Sequence, residues 1–379
     1  MTYSFVDRGC PGLAAACMTA ILVGCGDPTE SRRHPAPSIA ELPASEVVQK
    51  ELDGALEATF QRKLSLRQHA AWQILHGALA YGREFLVDRD GELVSAVDHL
   101  LASGQIKGWT VEPGERGLRA RLEAGSKTGQ GHADQWLAIL AQCNLTPEQT
   151  IQVAGRTYTM RDYVSQVQWD IPRNVQREYS WTLIGLTTYL PADADWQAVD
   201  GQTWSIERLM EMELDQDLSA SACGGTHRLI GLTMSLNRHL QQGGQIEGVW
   251  QRADQVIQDA IGKARKLQNP DGSFSTNYLE RPGRSPDLAK NLGTTGHLLE
   301  FLTLAMNDTQ IKEPWVTRAA LNLCDVFRKT RDIPLECGAL YHAAHGLVLY
   351  RTRFFGARRY AVPGNDSTVE AEVIRIAPD

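Results

Sequence analysis

Cysteine is scarce in this chain. Seven in 379 residues are too few for a small fold built on disulfides. No basic run occurs: Lys and Arg total 38 against 45 Asp and Glu, a net charge of −7. The clustered cations that neutralise nucleic-acid phosphates are therefore lacking, and no nucleic-acid partner is expected. Strand-like alternation is scarce, and the apolar stretch near the N-terminus is too short to span a bilayer as a stable helix. Apolar content of 42% with 22% charged residues excludes general disorder and a collagen-like chain.

What is present begins at the N-terminus. Pro11 to Val23 is small and apolar, follows Arg8, and runs into Leu22-Val23-Gly24-Cys25. Its length suits the core of a signal peptide. Small residues before a cysteine fit a signal-peptidase slot, and the thiol is the nucleophile that accepts a diacylglycerol. The segment resembles a bacterial lipobox. That resemblance implies loss of residues 1–24, lipidation of Cys25, and a membrane partner through the lipid anchor. The chain would then sit at the cell envelope, on its periplasmic or extracytoplasmic face. An ordinary secretory signal with an incidental cysteine is the alternative, and Asp7 departs from a purely basic leader. Residues 25–46 are rich in Pro, Ser and charge and read as a tether. Asp27 resembles an inner-membrane retention signal. Cys143, Cys223, Cys324 and Cys337 remain, and the three ways of pairing them stay open.

Residues 47–353 read as mostly helical, broken into short units by Gly and Pro. Six units are self-similar, beginning at His69, His132, Trp181, His227, His297 and His342, each with a large aliphatic at its sixth position. Their spacing of 45 to 70 residues suits two helices and two loops. More polar segments lie between them, at 48–62, 92–103, 161–170, 205–217, 249–268 and 314–329. Helix pairs of this kind need neighbours to bury their apolar faces. The expectation is an all-α chain of about twelve helices, six inner and six outer, closing as an (α/α)6 toroid. An open solenoid or an irregular bundle is the alternative. Residues 354–379 form a tail, in which Val369 to Ile376 alternates.

Gln268-Asn-Pro-Asp-Gly272-Ser-Phe274 follows a helix-like segment ending at Leu267. It resembles the Gln-x-x-x-Gly-x-Trp element of the terpenoid cyclase and protein prenyltransferase superfamily, which implies an α/α toroid. In that element the Gln satisfies helix-end backbone, the Gly permits a tight turn, and the aromatic covers it. Gln245 to Trp250 and Gln105 to Trp109 are degenerate relatives. The sequence departs from the superfamily where chemistry lies. Asp193-Ala-Asp195-Trp196 lacks the last acid of a cyclase Asp-x-Asp-Asp, and Glu336-Cys337 lacks the prenyltransferase Asp-x-Cys spacing.

The repeated histidines are expected at or near the starts of inner helices, where free N–H groups and the helix dipole attract anions. His297, Glu300, His342, His345 and Asp134 are the candidate catalytic residues, as general acids and bases. His69, His132, His227, Arg228, Trp136 and Tyr341 are the candidate ligand-binding residues. The ligand expected is a carbohydrate or another anionic small molecule. No cofactor is assigned; zinc is the ion that the His, Glu and thiol pairs would suit, Cys223 with His227 among them. Packing or capping roles for the same histidines stand beside these. The polar run from Glu112 to Gln130 could lie over the His rim as a lid, and Gly125 to Gly129 lacks the spacing of a nucleotide loop. Three functions follow: an envelope-tethered enzyme, a non-catalytic docking scaffold, or isoprenoid chemistry as the resemblance implies.

Overall fold

Amphipathic spacing and side-chain caps build the chain into helices. The computed structural model describes residues 42–360. The leader at 1–24, Cys25, Asp27, the tether up to residue 41 and the tail from residue 361 lie outside the described residues.

The fold is mostly helical. The helices are α1 (Ser45–Phe60), α2 (Ala71–Tyr81), α3 (Ala96–Leu101), α4 (Gln135–Gln142), α5 (Met160–Asp170) and α6 (Ser180–Tyr189). They continue with α7 (Ile206–Leu214), α8 (Thr226–Gln241), α9 (Gly248–Lys266), α10 (Leu288–Ala305), α11 (Pro314–Lys329) and α12 (Cys337–Phe355). In α11, Trp315, Val316, Ala319, Ala320, Leu323, Cys324 and Phe327 are buried, a one-sided stripe with Pro314 at its start and Arg328 and Lys329 at its end. By contrast α10 and α12 are buried almost all round, which marks central helices. The even-numbered helices pack in succession, α2 on α4, α4 on α6, α6 on α8, α8 on α10 and α10 on α12, and α12 packs on α2. The odd-numbered helices flank them, α1 against α11 and α12, α7 against α8 and α9.

Short strands are the feature the period count missed. They are β1 (Leu64–Ser65), β2 (Leu86–Arg89), β3 (Glu92–Ser95), β4 (Val111–Pro113), β5 (Leu118–Ala120), β6 (Thr150–Val153), β7 (Arg156–Thr159), β8 (Asp195–Gln197) and β9 (Thr203–Ser205). The pairs β2–β3, β4–β5, β6–β7 and β8–β9 are antiparallel, and β1 runs parallel to β2. Three hairpins each end in a capping residue for the next helix. Ser95, Thr159 and Ser205 accept the N–H of Asp98, Asp162 and Arg208. Two of their turns place consecutive residues at positive φ, Asp90-Gly91 at 54° and 93°, and Ala154-Gly155 at 50° and 73°. Asp-Gly pairs at 90–91 and 200–201 are the sequence signal for the β2–β3 and β8–β9 hairpins, and Ala154-Gly155 carries none. Strands of three or four residues are simply too short to register as a period. The segment expected as a helix over 92–103 is accordingly strand β3 followed by the short α3. The other five polar segments match α1, α5, α7, α9 and α11 within a few residues.

The Gln268 element folds as its residue types require. The Gln268 amide donates to the carbonyls of Gly272 at 2.9 Å and Trp315 at 2.8 Å, and buried Phe274 packs edge-on to Trp315. Gly272 has φ of 87°, and a Cβ there would lie 2.5 Å from the Arg318 carbonyl oxygen. Among the described residues, Cys143, Cys223, Cys324 and Cys337 are all free thiols, and no helix is long and apolar enough to cross a membrane.

Candidate functional site

Close packing of α10 on α12 sets the geometry of the centre. A Cβ on Gly296 would lie 2.6 Å from the Ala343 backbone, and one on Gly346 would lie 3.0 Å from the Gly296 carbonyl oxygen. That approach brings Glu300, one turn beyond Gly296, against His342 and His345. The Glu300 carboxylate accepts from His342 Nδ1 at 2.9 and 3.0 Å and from His345 Nδ1 at 2.7 Å. Glu300 is only 1% exposed. Burial alone would raise its pKa, but the two imidazoles pull it to about 2, so the buried carboxylate is ionised.

Further imidazoles gather round this pair. His297 stacks on His342 with ring centres 3.8 Å apart, His227 lies 5.1 Å from His297, and His76 lies 5.1 Å from His342. His132 and Trp181 approach His227 at 5.7 and 4.6 Å. His297 Nδ1 meets the Gly293 carbonyl at 2.6 Å, and His76 Nδ1 meets the Trp72 carbonyl at 2.5 Å. A carbonyl only accepts, so Nδ1 carries a proton in both, and Nε2 has its lone pair when the ring is neutral. No hydrogen-bond partner reaches His297 Nε2 or either nitrogen of His227, although the residues are 4% and 5% exposed. Burial pushes His227 well below the usual imidazole range, and pushes His76 down to about 3. Burial also opposes protonation of His297, yet neighbouring Cys223 and Glu300 hold it up at about 9.

Cys223 enters from a strained turn before α8. It has φ of 51°, followed by Gly224 at 62° and Gly225 at 77°. Two groups of metal-type ligands result, Cys223 with His227 and His297, and His297 with Glu300 and His342. Within each group the ligand atoms lie within 4.8 Å of one another, so these groupings could bind a metal ion. The space beside Trp181, His227, Glu300 and His342 is about 10 Å3, the size of one ion or water.

The remaining candidates are held by other contacts, with His132 at the edge of the centre. Arg228 is buried against Glu213 at 3.0 Å, and it also bonds the Asp217 carbonyl. Trp136 is fully buried near Trp109, and the Tyr341 hydroxyl donates to the Arg62 carbonyl. His69 folds back on Ser65, and His132 pairs with Glu178 at 3.0 Å. Two positions differ from expectation. His297 is mid-helix in α10 and His342 is one turn and a half into α12, so neither offers a helix-start anion site. The interhelix contact at Gly296, not the helix ends, decides their height. His76 was not among the sequence candidates; a lone His inside the apolar Ile74-to-Ala80 run was its signal. The 123–130 segment does reach the helix starts: the Trp72 N–H donates to the Thr128 carbonyl, and Lys127 pairs with Glu336.

Asp134 sits at the start of α4 in the left-handed region (φ 59°), with its carboxylate 2.5 Å from the Thr182 hydroxyl. Burial raises its pKa to about 6, against the Thr182 bond, with Asp170 adding to the rise. The folded chain therefore holds this proton to higher pH than the unfolded chain. Stability from it is present near pH 4 and is lost as pH rises through 6. Asp134→Asn keeps the Thr182 contact and tolerates the backbone. Denaturant titrations should show it gaining about 1–2 kcal/mol on wild type between pH 4 and 7, with the shift discounted for part exposure. Parallel pH curves would refute this.

Comparisons with family models, curated proteins and solved structures give no match to this chain.

Proposed function

We propose that this chain is an envelope lipoprotein anchored through Cys25, with its helices closed as an (α/α)6 toroid around a zinc-class metal centre. It acts as an enzyme on a carbohydrate or a related small molecule. The alternation of central and flanking helices, with α12 against α2, supports the toroid. One observation carries the metal reading: His227 and His297 are deeply buried with imidazole nitrogens that no protein group satisfies. Leaving such groups unpaired costs about 1–3 kcal/mol each, which a bound cation reverses.

The donor set fits. A tetrahedral zinc site needs ligand atoms ~3.3–3.8 Å apart and keeps one position open; those of Cys223, His227 and His297 lie within 4.8 Å of one another, so a small contraction brings them onto an ion. Those three are the proposed ligands. His297 is oriented by the Gly293 carbonyl, the type of outer hydrogen bond that metal-bound imidazoles make. Bound metal would supply Lewis acidity and an acidic water. Glu300 fixes the proton on Nδ1 of His342 and leaves Nε2 free to take a proton. Burial of His227, His297, Glu300 and His342 to 5% exposure or less keeps bulk water from the centre.

The test is metal analysis of purified protein after zinc supplementation. About one equivalent per chain is expected, falling at least ~100-fold in affinity for His227→Ala. Substoichiometric metal that His227→Ala leaves unchanged would sink the reading.

A further inference from the structure

We infer that the open cleft behind Gly224 and Tyr278 is a binding subsite for a neutral sugar ring. The inference rests on the reading of the His/Cys centre as catalytic, and supplies its substrate class and entrance. The central space of about 10 Å3 admits no sugar. The cleft holds about 570 Å3, within the range of small-molecule sites.

The cleft backs onto the proposed ligands through Gly224 and Tyr278. Gly224 lines the cleft and is the residue after Cys223, a proposed ligand. The Tyr278 ring presses on Gly224 so closely that a Cβ there would lie 2.3 Å from it. The same ring lies 6.4 Å from His297. Tyr278 has φ of 52° and Cys223 has φ of 51°. Each is a left-handed conformation that a bulky side chain adopts at a cost of ~1–3 kcal/mol. Two such residues facing one another across a single wall are more than a packed core requires. They hold Tyr278 as a partition between cleft and centre.

The lining selects the ligand. Asp217, Asp259 and Glu280 face it against a single Lys263, so an anionic ligand meets net repulsion. Asp217 is already engaged by the Ser219 N–H and hydroxyl. Asp259 accepts only from the Gln255 amide at 2.9 Å and Glu280 pairs with Arg281 at 3.6 Å, so each carboxylate keeps an oxygen to bond a ligand beside Lys263. Hydroxyls satisfy both signs of charge, as donors to the carboxylates and acceptors from the ammonium. Leu218, Val256 and the Tyr278 ring offer apolar surface for the C–H face of a sugar. A neutral polyhydroxylated ring matches both features. This narrows the substrate from the wider class, which included anions.

The probes are cellotriose, maltotriose and trigalacturonate, titrated into the intact protein by calorimetry and ligand-observed NMR. At least one neutral trisaccharide should bind, and trigalacturonate more weakly. Ser219→Trp, at an exposed lining position, fills the cleft and should weaken binding at least about tenfold with metal content and thermal midpoint unchanged. Asp259→Ala removes a single hydrogen-bonding carboxylate and should weaken it by about three- to tenfold. Binding that survives metal removal supports the subsite even if the metal reading fails. Absence of neutral-sugar binding, tighter binding of trigalacturonate, or a Ser219→Trp variant that binds like wild type would each overturn it, whatever the metal content.

Discussion

Replacing Glu300 with Leu should lower the unfolding free energy by about 3–5 kcal/mol, a large share of what holds a domain folded. The substitution nearly conserves volume, so little of the loss is packing. The loss is electrostatic: among the described residues Glu300 is the sole acceptor for the Nδ1 protons of both His342 and His345, which are buried with it. Removing it strands two buried donors at once. Glu300→Gln keeps one carbonyl acceptor and should fall about midway. Urea titration reads both, as a lower midpoint at an unchanged slope. A Leu variant within about 1 kcal/mol of wild type would show that the two imidazoles find other acceptors.

Glu213→Ala should cost a similar ~3–5 kcal/mol, for a different reason. Glu213 is 0% exposed and accepts three bonds: the Tyr179 N–H at 2.8 Å, the Ser180 hydroxyl at 2.6 Å and Arg228 Nε at 3.0 Å. It therefore ties α7 to the start of α6 and to α8. Its loss leaves the Arg228 guanidinium buried without a counter-charge. Arg228 also binds the Asp217 carbonyl and the Ser221 hydroxyl, so the 217–221 segment along the cleft loosens with it. Thermal unfolding measures the loss, and limited proteolysis should cut first in that segment. Adding Arg228→Met to Glu213→Ala removes the stranded charge and should restore about 1–2 kcal/mol. A double variant as unstable as the sum of the single ones would refute the pairing.

Much of the architecture was legible beforehand because apolar periodicity is local. The helix over 314–329 needed only its stripe, Pro314 and its basic end. The six repeated starts fall in or just ahead of α2, α4, α6, α8, α10 and α12. The hairpins were legible in principle, through Asp90-Gly91 and Asp200-Gly201 followed by a capping Ser, but their strands are too short for a period. Site residues were read less evenly. Of the catalytic candidates His297, Glu300, His342, His345 and Asp134, the structure brings the first four together and leaves Asp134 against Thr182 at the start of α4. Arg228 was read as a ligand-binding group, and it neutralises Glu213 instead. No local pattern distinguishes those roles, since both ask for a buried cation.

Residue order alone thus settles the helical class, the succession of helices and the supply of imidazoles, since each depends on neighbours within a few positions. Tertiary packing decides which of those imidazoles meet. The approach of Gly296 to Ala343 sets the height of Glu300 against α12, and the turn at Cys223 to Gly225 aims the thiol at His297. Those contacts join residues dozens of positions apart, through backbone distances that no period in the sequence encodes.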